Sequence, residues 1–241
     1  MTILLYHGWT SSASRRVRLF LEEKGLTYVS HEIDLATQQQ HSPEYLRINP
    51  NGVVPAIVHN GQVVHESSTI CEYLDDVFPE PPLRPLDAYD RALMRNWVRY
   101  VDSLIGNLIR FNWRHRLQKK AAAMSDDELQ QMIARVPSQE RREAWLRVAR
   151  KPYTEEELDQ ARMNLQAMVG KMEEMMAGGW LVGRQYSLAD IAVVPFIVRI
   201  HEEIAPDSLT RSTHPNVAAW WEAIQARPAF KRARMDPFVS G

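Results

Sequence analysis

Three places in the chain bring together residues whose types could do chemistry. The first is the polar turn His7 to Arg16, HGWTSSASRR, which carries hydroxyls at Ser11, Ser12 and Ser14 between an apolar strand and an amphipathic helix. A hydroxyl both accepts and donates, and a helix N-terminus adds the positive end of a dipole, so this turn can hold an anion. At least one of the three serines must cap the helix, and Ser14, directly before Arg15 and Arg16, is the obvious cap. The second place is Val54-Pro55. Proline has no N–H and belongs at the first residue or edge of a strand, and an X-Pro bond can be cis in a tight turn. The backbone N–H and C=O of Val54 are then open to pair with an extended peptide. The third is Glu66-Ser67 at the start of a helix, where unsatisfied N–H groups attract a carboxylate and Glu66 can accept from an ammonium. A small peptide with an α-amino acid at one end suits the second and third together. A plain hairpin followed by a capped helix suits the same spacing.

The elements that must position these residues follow from the pattern around them. Thr2 to Tyr6 is an apolar, buried strand, and Val17, Phe20 and Leu21 share one face of a helix that stops at Gly25. Tyr28 to Ile33 is a second strand, and Thr37 to Ile48 a short helix ended by Asn49-Pro50. Pro55 to Val58 and Gln62 to Val64 are strands joined by Asn60-Gly61, a strong two-residue hairpin signal. Ser67 or Ser68 can cap the next helix, with Thr69-x-x-Glu72 as an alternative capping box; its apolar face is Ile70, Tyr73, Leu74 and Val77. The expected fold class is therefore α/β and thioredoxin-like over residues 1–79. Pro79 to Pro85 has four prolines in seven residues, a semi-rigid linker that places the boundary at 80–86. Residues 87–241 are then all-helical. Asp87 or Asp90 caps a long helix with Leu93, Trp97, Val101, Leu104 and Leu108 on one stripe. Ser125 to Glu128, Thr154 to Glu157 and Ser187 to Asp190 head further helices, the last as a reciprocal capping box read as structural.

Composition limits the function classes. The chain has 241 residues, 45% of them hydrophobic, with net charge −1; the totals give a nucleic-acid partner no electrostatic support. The single Cys71 excludes an internal disulfide framework and suits a reducing compartment. As part of a helix, Cys71 is expected to be a small buried hydrophobe. Eight scattered histidines offer no zinc spacing, so no metal is assigned. No stretch has the length of a membrane span or a signal h-region, which leaves the cytoplasm.

Val54-Pro55, ten residues, Glu66-Ser67, then a helix ending Glu72-Tyr73-Leu74 closely resembles the glutathione-binding half of glutathione S-transferases, and the resemblance extends over essentially the whole chain. Pro55 is the counterpart of that family's cis-proline. Ser11 to Arg18, SSASRRVR, is similar to the zeta-class motif Ser-Ser-Cys-Ser-x-Arg-Val-Arg. Ala13 stands in place of the cysteine, which argues against zeta-type isomerisation and against glutaredoxin-like or omega-like thiol exchange. MSDDEL, VPSQERREAW and TEEELD, in the insertion from about Asn112 to Lys151, resemble bacterial glutathione-dependent β-aryl etherases, as do HESSTICEYLDDVFPE and YSLADI. The first turn lacks that group's Gly-Pro-Gly.

The resemblance implies a glutathione transferase, with a thioredoxin-like domain followed by an all-α one, working as a homodimer. Glutathione is the co-substrate, and the partner is a small, electrophilic, aromatic molecule. One of Ser11, Ser12 and Ser14 would stabilise the thiolate, Ser11 in the zeta pattern and Ser14 in the etherase pattern. Gln40 would contact the glycyl end, Val54 beside Pro55 the cysteinyl backbone, and Glu66 and Ser67 the γ-glutamyl end. Asp102 would reach the γ-glutamyl amine in a neighbouring subunit. The mixed basic and aromatic run at the end of the fourth helix, Asn107, Arg110, Phe111 and Trp113, is the expected second-substrate pocket. A glutathione-dependent β-aryl etherase is the alternative enzyme, and a non-catalytic glutathione-fold binding module the alternative of another class.

Overall fold

A computed structural model of the protein describes residues 2–235. Strand β1 (Ile3–His7) leads through helix α1 (Ser12–Lys24) to β2 (Tyr28–Glu32). A 3₁₀ turn (Gln39–His41) and the one-turn helix α2 (Pro43–Leu46) follow, then the hairpin β3 (Ala56–His59) and β4 (Gln62–His65), and α3 (Ser67–Val77). The sheet order is β2-β1-β3-β4. β1 is parallel to β2 and antiparallel to β3, with Ile3 opposite Tyr28 and His59. Asn60 and Gly61 both take positive φ, 52° and 77°, as a type I′ hairpin requires. Gly25 closes α1 in the left-handed region at φ 64°. Ile3, Leu5, Ile57, Val17, Phe20, Leu21, Ile70 and Leu74 form the core beneath this sheet. Where a single short helix is expected over 37–48, the chain makes two separate turns. Pro43 has no N–H to continue the first, and Ser42 caps the second by accepting from Tyr45 N.

The remaining helices are α4 (Ala88–Ser103), α5 (Ile105–Asn112), α6 (Gln118–Ala123), α7 (Asp126–Ile133), α8 (Gln139–Arg150), α9 (Glu155–Met175), α10 (Leu188–Arg199), α11 (Pro215–Ala226) and α12 (Pro228–Arg232). Two π-turns, Trp113–Leu117 and Ile200–Ile204, join α5 to α6 and extend α10. Asp87, not Asp90, caps α4. The expected single helix through Leu108 breaks at Leu104. Gly106 lies just beyond, and the Asn107 amide donates to Leu104 O at 3.2 Å, the local competition with helix bonding that favours a break. Every residue of α10 is buried, as a helix apolar all round must be. A second, smaller core gathers Trp113, Ala121, Leu129, Ile133, Val136, Trp145, Val148 and Ala149, centred on Trp113 and Trp145 packed edge to face at 4.9 Å. Among the described residues no helix is long and apolar enough to cross a membrane.

The reciprocal capping boxes at Ser125/Glu128, Thr154/Glu157 and Ser187/Asp190 are all formed. The last does more than cap. Asp190 is fully buried, and its carboxylate accepts from Leu181 N at 3.2 Å, Ser187 N at 2.9 Å and the Trp220 indole at 2.9 Å. Burial raises its pKa from 3.8 to about 6, against those hydrogen bonds. Asp190→Ala leaves several buried donors without an acceptor and should lower unfolding free energy by about 3–5 kcal/mol in denaturant titrations. A carboxyl whose folded pKa is raised favours folding most below pH 4 and loses that contribution as pH climbs to about 6. Wild type should therefore lose stability relative to Asp190→Asn across this window, and the difference should be level above it. A pH-independent difference would contradict the assignment.

Candidate functional site

The three serines occupy three different positions at the start of α1. Ser11 is the N-cap: its Oγ accepts from Ser14 N at 3.2 Å. This corrects the expectation that Ser14 caps. α1 begins at Ser12, so Ser14 falls inside its first turn, fully buried, where its Oγ accepts from Gly8 N at 3.3 Å. Ser11 N in turn donates to Gly8 O at 3.1 Å, so Gly8, Ser11 and Ser14 brace the turn. Ser11 and Ser12 remain partly exposed. The first intrahelical bond runs from Arg15 N to Ser11 O, so the N–H groups of Ser12 and Ala13 have no partner within the helix. Below the turn, His7 is buried and bonds Ser30 Oγ at 2.7 Å; burial, then the Arg18 charge, lower its pKa to about 4. Trp9, unassigned in the sequence, has the guanidinium groups of Arg18 and Arg234 on its ring at 4.7 and 4.4 Å.

The Val54-Pro55 bond is cis. Tyr45 Oη and Asn49 Nδ2 both donate to Val53 O, at 2.6 and 2.8 Å, and hold the turn in place. The β1–β3 ladder ends at Ala56. Val54 therefore lies beyond it, and neither its N–H nor its C=O has a partner among the described residues. Gly52 is held at φ 60°, and a Cβ there would stand 2.8 Å from His41 Cδ2 and 3.1 Å from Pro137 Cδ; the α7–α8 loop thus sits directly on this turn. Gln40 lies in the 3₁₀ turn, and its buried Oε1 has no hydrogen-bond partner.

Glu66 precedes α3 with φ 69° and ψ 115°, a conformation that costs a non-glycine residue roughly 1–3 kcal/mol and gathers at functional sites. It is the N-cap, yet no side chain caps the helix; neither Ser67, Ser68 nor Thr69 does so, because α3 starts at Ser67 and takes them into its first turn. The first intrahelical bond is Ile70 N to Glu66 O. The three N–H groups of Ser67 to Thr69 therefore have no partner within the helix. Ser67 Oγ accepts from Arg16 Nη1 at 3.1 Å, and the same nitrogen meets Asp102 Oδ1 at 2.6 Å. The expectation gave Asp102 to a neighbouring subunit's site; its observed partner is Arg16 of its own chain. Arg16 escaped assignment because nothing in the sequence pairs residues 16, 67 and 102. Cys71, one turn beyond Ser67, is sealed in the core, and burial pushes its thiol pKa up to about 12.

The residues expected to line a second-substrate pocket turn mostly inward. Asn107 is buried, bonded to Leu104 O and to Asn164 across the α5–α9 contact. Phe111 belongs to the main core and Trp113 to the second one. Only Arg110 stays partly exposed. Phe111 and Trp113 are two positions apart, so they leave the helix on different faces, and each is taken up by a different core. Among the described residues no cluster of three or more His, Cys, Asp or Glu is placed to hold a metal ion.

Comparison with known proteins agrees with this arrangement. Residues 10–77 match the family described as glutathione S-transferase, N-terminal domain, and residues 115–228 match glutathione S-transferase, C-terminal domain. Protein LigF of Sphingobium sp. (strain NBRC 103272 / SYK-6) is 36% identical over 238 residues, covering 96% of this chain and 92% of LigF. The crystal structure of beta-etherase LigF superposes with a TM-score of 0.88 over 97% of this chain and 98% of the other. Glutathione S-transferase Z2 of Arabidopsis thaliana is 30% identical over 233 residues, 95% of this chain and 89% of that one. A Sulfitobacter glutathione transferase homolog crystallised with bound glutathione, 21% identical, shares the fold with a TM-score of 0.68 over 95% of each chain. A thioredoxin-like sheet followed by a helical half, with the matches to both of its characteristic domains, makes this chain a member of the glutathione S-transferase family.

Proposed function

We propose that the protein is a glutathione transferase in which the thiolate of bound glutathione attacks an electrophilic carbon of a small aromatic molecule. The observation that carries this is the uncapped start of α3: three free N–H groups beside Glu66 in a left-handed conformation, with Ser67 anchored by Arg16. The γ-glutamyl carboxylate suits those N–H groups and its ammonium suits Glu66, with Asp102, paired to Arg16 in its own chain, kept for the ammonium bound in a neighbouring subunit of the homodimer. Val54, open on both backbone groups, suits the cysteinyl residue, and Gln40, with its unpartnered Oε1, the glycyl end. The cysteinyl sulfur would then lie toward the N-terminus of α1. There a donated hydroxyl and the helix dipole both favour the thiolate, the reactive form. Ser11 and Ser12, partly exposed, are the donors in this reading, and Ser14 holds the turn from within. Asn107, Phe111 and Trp113 back the electrophile site rather than line it, with Arg110 nearest to its opening. A cytoplasmic homodimer belongs to the proposal by family analogy, as does the domain boundary at 80–86; exposed Leu86 and Tyr89 supply apolar surface at the start of α4.

A second reading is favoured by the similarity to LigF along the full length, the insertion included. The electrophile would then be a β-aryl ether. The thiolate forms a C–S bond at the ether carbon as the C–O bond breaks, and the aryloxide leaves and takes a proton. Both readings form the same C–S bond and differ in what the carbon gives up: halide or the ring oxygen of an epoxide in the first, an aryloxide in the second.

Three measurements test these proposals. Titration calorimetry should detect glutathione binding by wild type and a loss of about tenfold or more in Glu66→Ala, the worth of one charged hydrogen bond; an unchanged affinity would remove the γ-glutamyl assignment. The pH at which bound glutathione absorbs as thiolate should rise by about one unit or more in Ser11→Ala or Ser12→Ala, while Ser14→Ala acts mainly by loosening the turn. If all three variants keep the wild-type value, serine activation is the wrong mechanism. A panel of aryl halides, epoxides and β-aryl ethers separates the two substrate readings: an etherase releases one phenol per thioether formed, and a transferase without that specificity turns over the halides or epoxides instead.

A further inference from the structure

The glycyl end of glutathione is a carboxylate, and the segment assigned to hold it has almost no positive charge. From Leu26 to Val54 the cationic or titratable bases are Arg47, His31 and His41. Arg47 is exposed at the end of α2, and His31 is exposed on β2 against Tyr6. His41 is buried, and burial first and the Arg141 charge second lower its pKa to about 4, against a contact with the Gly52 backbone; it is neutral at physiological pH. Gln40 is neutral as well. A partly buried carboxylate here needs a cation from elsewhere in the chain.

That cation is on the insertion. Three attachments fix the start of α8 over the segment: Lys120 Nζ donates to Ala36 O at 2.8 Å, Gln38 Nε2 to Met132 Sδ at 2.8 Å, and Pro137 rests on Gly52. Arg142 holds the loop itself, donating to Val136 O at 2.6 Å and Pro137 O at 2.9 Å. Arg141 lies in the first turn of α8, its backbone N–H received by Ser138 Oγ at 3.3 Å. Its guanidinium donates no hydrogen bond among the described residues. The residue keeps solvent access, yet enough chain surrounds it that burial pulls its pKa down, against the charges of Glu140 and Glu66. Its own charge is felt at His41. Arg141 stands one turn beyond Pro137, which packs on Gly52 beside His41, so it brings an exposed cation within electrostatic reach of both His41 and Glu66. The Glu66 end already has the α3 N-terminus and Arg16; the His41 end has neither.

We propose that Arg141 binds the glycyl carboxylate of glutathione together with Gln40, so that the helical insertion completes a site the sheet half leaves without a counter-charge. This assignment rests on the glutathione reading given above. A planar guanidinium suits a bidentate pair with a carboxylate, and its position on α8 ties the placement of α6 to α8 to occupancy of the site.

Glutathione and its glycyl monoethyl ester, which lacks that charge, discriminate the possibilities by calorimetry. Wild type should bind the ester about ten- to a hundredfold more weakly than glutathione. Arg141→Ala should lose the same factor for glutathione, bind the ester as wild type does, and keep the wild-type melting temperature. Arg141→Lys should recover part of the loss. Equal weakening of both ligands by Arg141→Ala would overturn the proposal, as would wild-type affinity for glutathione in that variant; in either case the glutathione reading itself would stand. An ester penalty unaffected by Arg141→Ala would assign the carboxylate to another residue. No binding of glutathione by wild type would remove both proposals together.

Discussion

One buried guanidinium joins the two halves of this protein at the site. Arg16 projects from α1, and its Nη1 serves Ser67 at the start of α3 and Asp102 near the end of α4, while Nη2 reaches Ala192 O in α10 at 3.4 Å. A charge this deeply placed is tolerable only with its partners present. The packing of α4 and α10 against the sheet half is therefore a condition for Arg16 to sit where it does. Because Ser67 Oγ accepts from Arg16, its proton remains available to donate elsewhere. The hydroxyl is thus aimed by a residue fifty-one positions away in sequence and by two helices from the other half.

Local signals in the sequence reached far into the fold. Asn60-Gly61 specifies a type I′ turn, Gly25 a left-handed helix end, and Ser125, Thr154 and Ser187 with their acidic partners specify three helix starts, because each depends only on residues within four positions. The strand and helix order of the first eighty residues and the open edge at Val54 are legible for the same reason. What escaped the sequence is what depends on tertiary partners. Ser14 looks like a cap until the turn at Gly8 places the cap three residues earlier, at Ser11. The stripe through Leu104 and Leu108 reads as one helix until Asn107 folds back onto Leu104 O.

The same limit applies to the site. Phe111 and Trp113 carry an aromatic signal that fits a substrate pocket and a packed core equally; one joins the main core and the other the Trp145 core. Arg116 and Arg199 look like unrelated surface charges in sequence, yet Glu203 accepts from both, at 3.1 and 2.5 Å, and joins the two π-turns. Periodicity assigns residues to faces. It does not state which face of another element will meet them, and buried polar pairs are decided at that second level.

The placement of Cys71 has a practical consequence for redox chemistry. It is the chain's single sulfhydryl, and it sits one helical turn from Ser67, closed off from solvent and held protonated. A thiol in that state neither attacks a disulfide nor accepts an alkylating reagent at an appreciable rate. While the protein is folded, a mixed disulfide with the tripeptide proposed to bind beside it, or a sulfur cross-link to a second copy, is disfavoured. Reductant in solution therefore acts on the co-substrate thiol rather than on the protein's own buried one.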